Sequence, residues 1–178
     1  MMVAAPRPDG AATPSLTRRM AAFVYEGVLL FGVLMIAGYL YSSLTQQRHA
    51  LHGQSGLQAF LFVVLAIYFS WFWSHGGQTV AMRAWHLRLV TRDGQAVTQA
   101  RALMRYLASW IWFVPALGCA WLAGLQSASK IFALMAVGVV AYALLALAHP
   151  ERQFWHDALC GTRLITWRPA ARKAQSGA

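Results

Sequence analysis

Residues 18–44 read RRMAAFVYEGVLLFGVLMIAGYLYSSL. Two arginines open the stretch, and between Ala21 and Leu44 the one acidic or basic side chain is Glu26. As a helix, a run of this length crosses the roughly 30 Å hydrocarbon core of a bilayer. A secretory signal would show a shorter apolar core followed by a small-residue cleavage site, so an uncleaved membrane span is expected. Arg19 and Glu26 stand seven positions apart. Two helical turns place both on nearly the same face, roughly 10 Å apart along the axis. Arg19 is placed to snorkel to the headgroups. Glu26 lies more than a turn deeper, where an ionised side chain costs about 2.5–3.5 kcal/mol on insertion scales. Glu26 must therefore face protein or water, find a cationic partner, or carry a proton. One reading makes it half of a structural ion pair that fixes helix packing. The other makes it a proton or cation site.

The rest of the composition extends this reading to the whole chain. Of 178 residues, 58% are hydrophobic and 11% charged, too apolar for an ordinary soluble domain. The net charge is +10, from 15 Lys and Arg against 5 Asp and Glu. The basic residues cluster at the ends of apolar runs. That placement indicates orientation in a bilayer and contact with anionic headgroups rather than a nucleic-acid partner. Cys119 and Cys160 lie far apart without CxxC spacing, so neither a disulfide framework nor a zinc site is expected.

Taken in order, residues 1–15 (MMVAAPRPDGAATPS) read as a disordered tail. Residues 16–168 form the transmembrane domain, and 169–178 a basic C-terminal tail. Spans are expected at about 21–44, 57–74, 106–125 and 131–148. Tyr39 and Tyr41 resemble an interfacial anchor at the far end of the first span. Residues 45–56 make a short polar loop and 126–130 a tight one. Between the second and third spans, residues 75–105 form the longest polar segment. Gly76-Gly77 ends the second helix, and Gln78 to Arg83 suits a short interfacial helix. Leu87-Arg88-Leu89-Val90 alternates as a strand, Asp93-Gly94 signals a hairpin turn, and Ala96-Val97 is the expected return strand. Thr98 is placed to cap the next helix. Pro115 predicts a kink in the third span. Thr162 to Thr166 (TRLIT) alternates like a third strand. The fold class is therefore an all-α membrane protein: a four-helix transmembrane bundle with a small cytoplasmic β-hairpin or sheet.

Charge asymmetry orients the bundle. Arg7, Arg18 and Arg19 precede the first span. Arg83, Arg88, Arg92, Arg101 and Arg105 lie in the long loop, and Arg152, Arg163, Arg168, Arg172 and Lys173 follow the fourth span. The loops at 45–56 and 126–130 carry Arg48 and Lys130 alone. Both termini and the long loop are thus expected in the cytoplasm, with the chain a multi-pass protein of the cell (inner) membrane.

Three motifs carry a family resemblance. RRMAAFVYE at 18–26 resembles the opening motif of RDD-family membrane proteins, in which an arginine precedes an acidic residue by seven. GGQTVAMRAWHLRLVTRDGQAVTQARALMRYL at 76–107 is similar to the family's central segment, with its Gly-Gln-Thr start, its strand, its Asp-Gly turn and an arginine-bearing return. FWHDALCGTRLI at 154–165 resembles the closing motif, His-Asp followed by Gly-Thr-Arg. The resemblance maps the family's arginine to Arg19 and its second aspartate to Asp157. Glu26 replaces the first aspartate, which keeps the charge and adds one methylene. For most members it implies no assigned activity; for some it implies transport, including cation/proton exchange.

The candidate ion, proton or charge-network residues are therefore Arg19, Glu26, Arg105 and Asp157, with His156 and Arg163 secondary. Arg105, near the start of the third span, is the expected intramembrane partner of Glu26; snorkelling is its plainer role. Asp157 is expected at the cytoplasmic surface, as a cap or paired with Arg19, Arg105 or Arg163, or as a proton access point below Glu26. His75, His86, His149 and His156 fall near helix ends, but no pair has ligand spacing on one helix. Neither metal nor cofactor is expected, and His156 is better tied to Asp157. The tryptophans at 71, 73, 110, 112 and 121 suit interface anchoring and helix packing. Gly27, Gly32, Gly38, Gly118, Gly124 and Gly138 permit close helix approach without a strict GxxxG pair. No GxSxG, Walker A, HExxH or paired-carboxylate signature occurs, so no enzyme is expected. Four helices are few for a complete carrier. A transport role therefore implies a homo-oligomer or a partner membrane protein. The competing reading is a non-catalytic scaffold or accessory protein that docks partners through its cytoplasmic face.

Overall fold

The computed structural model describes residues 12–45 and 54–168. The basic tail expected at 169–178, Arg7, Arg48, and most of the loop at 45–56 lie outside the described residues. Helix α1 spans Leu16–Leu44, α2 Gln54–Ser74, α3 Val80–Ala84, α4 Gln99–Ser109, α5 Val114–Leu122, α6 Ala128–Leu145 and α7 Trp155–Leu159. Strands β1 (Leu87–Thr91) and β2 (Thr162–Thr166) form one antiparallel sheet. Four helical stretches are long and apolar enough to cross a membrane: Leu16–Leu44, Ser55–Ser74, Gln99–Leu122 and Ala128–Leu145. Their outer faces carry exposed Phe31, Met35, Ile36, Ile67, Phe132 and Val137, an arrangement that suits lipid rather than water as the surrounding solvent.

α1 starts five residues before the apolar run because Ser15 caps it. The Ser15 hydroxyl accepts from the Arg18 backbone N–H at 3.4 Å. Its 29 residues rise about 43 Å, well beyond the hydrocarbon thickness. Its first turns therefore stand at the boundary, where α3, α7 and the sheet gather around them. Residues 12–15, part of the expected tail, are held there too. Thr166 N–H donates to the Ala12 carbonyl at 3.2 Å.

The third crossing is broken rather than kinked. α4 ends at Ser109, Trp110–Trp112 form one 3₁₀ turn, and α5 begins at Val114. Pro115 has no N–H to offer the carbonyl four residues back, so the chain tightens: Phe113 N–H bonds the Trp110 carbonyl at 2.9 Å. At the second position of a new helix, proline loses nothing, because first-turn amides lack helical partners anyway. The break turns Trp112 inward. Its ring lies 5.0 Å from Phe23, 4.7 Å from Tyr142 and 5.0 Å from Phe154, joining α1, α6 and the segment before α7. The tryptophans thus divide. Trp73 and Trp112 are core, whereas Trp121, at 80% exposure, and Trp71 face outward. α5 and α6 pack closely at Gly138, where a Cβ would come within 2.9 Å of the Ala116 Cβ.

The hairpin expected within 87–97 is half formed. Asp93-Gly94 does turn, with Gly94 N–H bonded to the Thr91 carbonyl at 2.9 Å. No return strand follows. Val97 drops into the helical core and Thr98 immediately caps α4, accepting from Arg101 N–H at 3.4 Å. The partner of β1 is instead β2, in the register Leu87↔Thr166 to Thr91↔Thr162. The Gln153 side chain holds the Leu164 N–H and carbonyl, each at 3.1 Å, where a third strand would bond.

Candidate functional site

The buried charges fall into two groups, one around each carboxylate. Glu26, on α1, is 8% exposed. The Tyr68 hydroxyl of α2 donates to its Oε1 at 2.7 Å, and the Thr79 hydroxyl donates to its Oε2. Thr79 also caps α3, accepting from Met82 N–H at 3.2 Å. One carboxylate therefore ties α1, α2 and α3 together. The pairing expected between Glu26 and Arg105 does not occur. Among the described residues no arginine, lysine or histidine forms an ion pair with Glu26.

Thr79 is set by the turn before it. Gly77 has φ +72, and a Cβ there would run into the Leu89 carbonyl oxygen. The Leu89 N–H donates to Gly77 O at 2.7 Å, and the Gln78 amide reaches Leu87 O at 2.5 Å. Gly-Gln-Thr thus lashes α3 to β1 and aims the threonine at Glu26.

Arg105 pairs with Asp157 instead. Its Nε donates to Oδ1 at 2.6 Å, and the two residues are 6% and 0% exposed. The surface position expected of Asp157 is corrected by this burial: α7 and β2 fold over it. α4 delivers Arg105 because Ala102, Arg105 and Tyr106 recur at helical spacing on its buried face. The guanidinium stacks 4.1 Å over the Trp73 ring. Thr162 donates to the Asp157 backbone carbonyl at 3.2 Å and lies 3.4 Å from Oδ1. Burial alone would raise the Asp157 pKa. The Arg105 guanidinium, aided by His156 and Arg19, outweighs that and holds it below the usual carboxylate range.

His156 stands beside this pair, its Nε2 3.6 Å from Asp157 Oδ1. The Tyr142 hydroxyl accepts from the His156 backbone N–H at 3.1 Å and lies 3.0 Å from Nδ1. Burial lowers the imidazole pKa to about 4, against the opposing pull of Asp157. The ring is therefore neutral near pH 7, and the facing carboxylate favours the tautomer with its proton on Nε2. Arg19, 3% exposed, does not snorkel. Its guanidinium lies 4.4 Å over the Phe154 ring on the Asp157 side. Phe154, in the segment before α7, supplies the aromatic face that it lies on. Arg163 joins neither group. It sits half-buried on the sheet.

A family model described as the RDD family matches residues 13–161. The chain belongs to the RDD family. RDD proteins are membrane proteins, in keeping with the four candidate spans. No curated protein and no solved structure matches the chain. In this RDD chain the aspartate at 157 pairs with Arg105, the arginine at 19 lies over Phe154 without an ion pair to that aspartate, and the glutamate in the other acidic position stands apart with its hydroxyls. Tyr68, Thr79, Trp73, Tyr142 and Phe154 complete these groups. Thr79 and Phe154 lay inside the quoted motifs and Trp73 among the packing tryptophans, but none of the five was singled out as a site residue. Among the described residues, no three His, Cys, Asp or Glu side chains converge as metal ligands.

Proposed function

We propose that this RDD protein moves protons against a cation across the membrane, alone or as a subunit of a transport assembly, with Glu26 as the titrating group. One observation carries the reading: Glu26 is held by two hydroxyls and Asp157 by a guanidinium. A guanidinium only donates and favours the ionised partner. Asp157 is thereby fixed as a carboxylate. A hydroxyl both donates and accepts, so Thr79 and Tyr68 suit Glu26 as carboxylate or as acid. Protonation forces one hydroxyl to turn round, and so alters the joint between α1, α2 and α3.

The surrounding proposals follow the charge pattern. The protein lies in the cell (inner) membrane with both termini and the sheet in the cytoplasm, supported by the thirteen basic residues on that side against two on the other. A four-span chain acts as a homo-oligomer or beside a partner membrane protein, without catalysis and without nucleic acid.

The test is cation-driven proton movement in proteoliposomes of the pure chain, with wild type beside Glu26→Gln and Glu26→Asp. Exchange should vanish in the glutamine variant and persist in part with aspartate. A second reading, a membrane scaffold, is favoured by the same hydrogen bonds if their role is to join three helices. Absence of exchange with any monovalent cation in the wild type would select that reading.

A further inference from the structure

We infer that two half-buried arginines on the face of the sheet turned away from the helical core, Arg88 and Arg163, bind the phosphate of an anionic phospholipid headgroup. Side chains alternate along each strand. Leu87, Leu89 and Leu164 belong to the helical core. Arg88, Val90, Arg163 and Ile165 share the opposite face, on which Val90 and Ile165 are buried and the two arginines half-buried. The register pairs Arg88 with Ile165 and Val90 with Arg163, so the two arginines are diagonal neighbours, about 7–8 Å apart at the backbone. Like charges in that relation repel unless something neutralises them.

Nothing among the described residues does. Neither guanidinium forms an ion pair; the arginine–carboxylate pair of the described residues is Arg105–Asp157. Each Nε is buried without a hydrogen-bond partner. Arg88 is held in place rather than loose, 4.5 Å over the Trp167 ring. Guanidiniums borne on diagonal neighbours suit the oxygens of one phosphate group, which accepts several charge-assisted hydrogen bonds at once.

The height of the sheet identifies the source of the phosphate. Arg18, in the first turn of α1, donates to the Trp85 carbonyl at 2.7 Å and to the Thr166 hydroxyl at 3.4 Å. The sheet therefore stands level with the end of a helix that outruns the hydrocarbon core, in the headgroup layer. Exposed Trp85 and Trp155 lie at the same end, as aromatic residues do at membrane boundaries. This assignment rests on the membrane character of the chain and is independent of the transport proposal.

The test is native mass spectrometry of the full chain in detergent, titrated with phosphatidylglycerol and with phosphatidylcholine of the same acyl chains. Wild type should retain phosphatidylglycerol preferentially. Arg88→Gln and Arg163→Gln should each weaken that retention about tenfold, whereas Arg83→Gln, which removes an exposed charge at the same end, should not. Equal weakening in all three variants would mean diffuse charge attraction and overturn the site. So would retention of the two lipids alike. Displacement of the lipid by millimolar inorganic phosphate would reassign the pair to a soluble phosphate ligand. Should a glutamine variant fail to fold, Arg88→Lys and Arg163→Lys decide: charge kept and forked geometry lost should still reduce retention, and unchanged retention refutes the site.

Discussion

Removing the Asp157 carboxylate should be the most damaging single change in the molecule. Asp157→Ala takes away the charge, the 2.6 Å hydrogen bond from Arg105 and the Thr162 contact, in a place with no exposure to solvent. It also leaves the Arg105 guanidinium buried, with only the Trp73 face as partner. Breaking a buried pair from one side costs about 3–5 kcal/mol. For a chain of this length that corresponds to a fall in Tm of roughly 10 °C. Asp157→Asn keeps an acceptor for Arg105 and Thr162 and loses only the charge, so about half of that is expected. The double variant Arg105→Met with Asp157→Leu removes both desolvated charges and should recover most of the loss, giving a coupling above about 1 kcal/mol in a double-mutant cycle. The assay is thermal unfolding of the purified protein in detergent, followed by tryptophan fluorescence. A fall under about 1 kcal/mol for Asp157→Ala, or strict additivity in the cycle, would refute the argument, because it would mean that water reaches the pair.

Acid should weaken the fold through His156 before it reaches Asp157. The folded His156 pKa of about 4 lies below its unfolded value of 6.5, so the unfolded chain binds the proton more tightly. Stability is then full above pH 6.5 and falls by about 3 kcal/mol toward pH 4. Asp157 adds loss only below its unfolded value of 3.8. Tm against pH should slope through that window in wild type and flatten in His156→Gln. Trp112→Ala opens the aromatic cluster and should cost about 3–5 kcal/mol, whereas Trp121→Ala, on an outward face, should stay within about 0.5 kcal/mol; chemical denaturation of both variants checks the contrast. Gly77→Ala meets both a positive φ and the Leu89 carbonyl, with an expected loss of about 2 kcal/mol or more in the same measurement. Because Thr79 moves with that turn, any exchange activity should fall as well.

Much of the architecture is local and therefore legible in the chain. Span length, the Thr98 cap and the Asp-Gly turn each depend on neighbours a few positions away. So does the strand character of Leu87–Thr91 and Thr162–Thr166. The pairing of those strands does not. Val97 and Thr98 are committed to the core and to the cap of α4, which leaves no length for a return strand, and β2 takes the edge, its nearest pair, Thr91 with Thr162, standing 71 positions apart. Pro115 announced a disturbance in the third crossing; only packing against Phe23, Tyr142 and Phe154 turned that disturbance into a buried Trp112.

The charged residues divide in the same manner. Sequence by itself determined that Arg19, Glu26, Arg105 and Asp157 stand near one end of a membrane bundle, because composition and spacing fix depth along each helix. Which charge meets which depends on the azimuth of each helix and on how α7 and β2 fold back, and these are settled by contacts distant in sequence. Tertiary structure gave Arg105 to Asp157, laid Arg19 over Phe154, and left Glu26 to Tyr68 and Thr79. The physical reason is desolvation. A guanidinium withdrawn from water needs a carboxylate or an aromatic face at hand, and only the folded chain brings those from four different elements to one place.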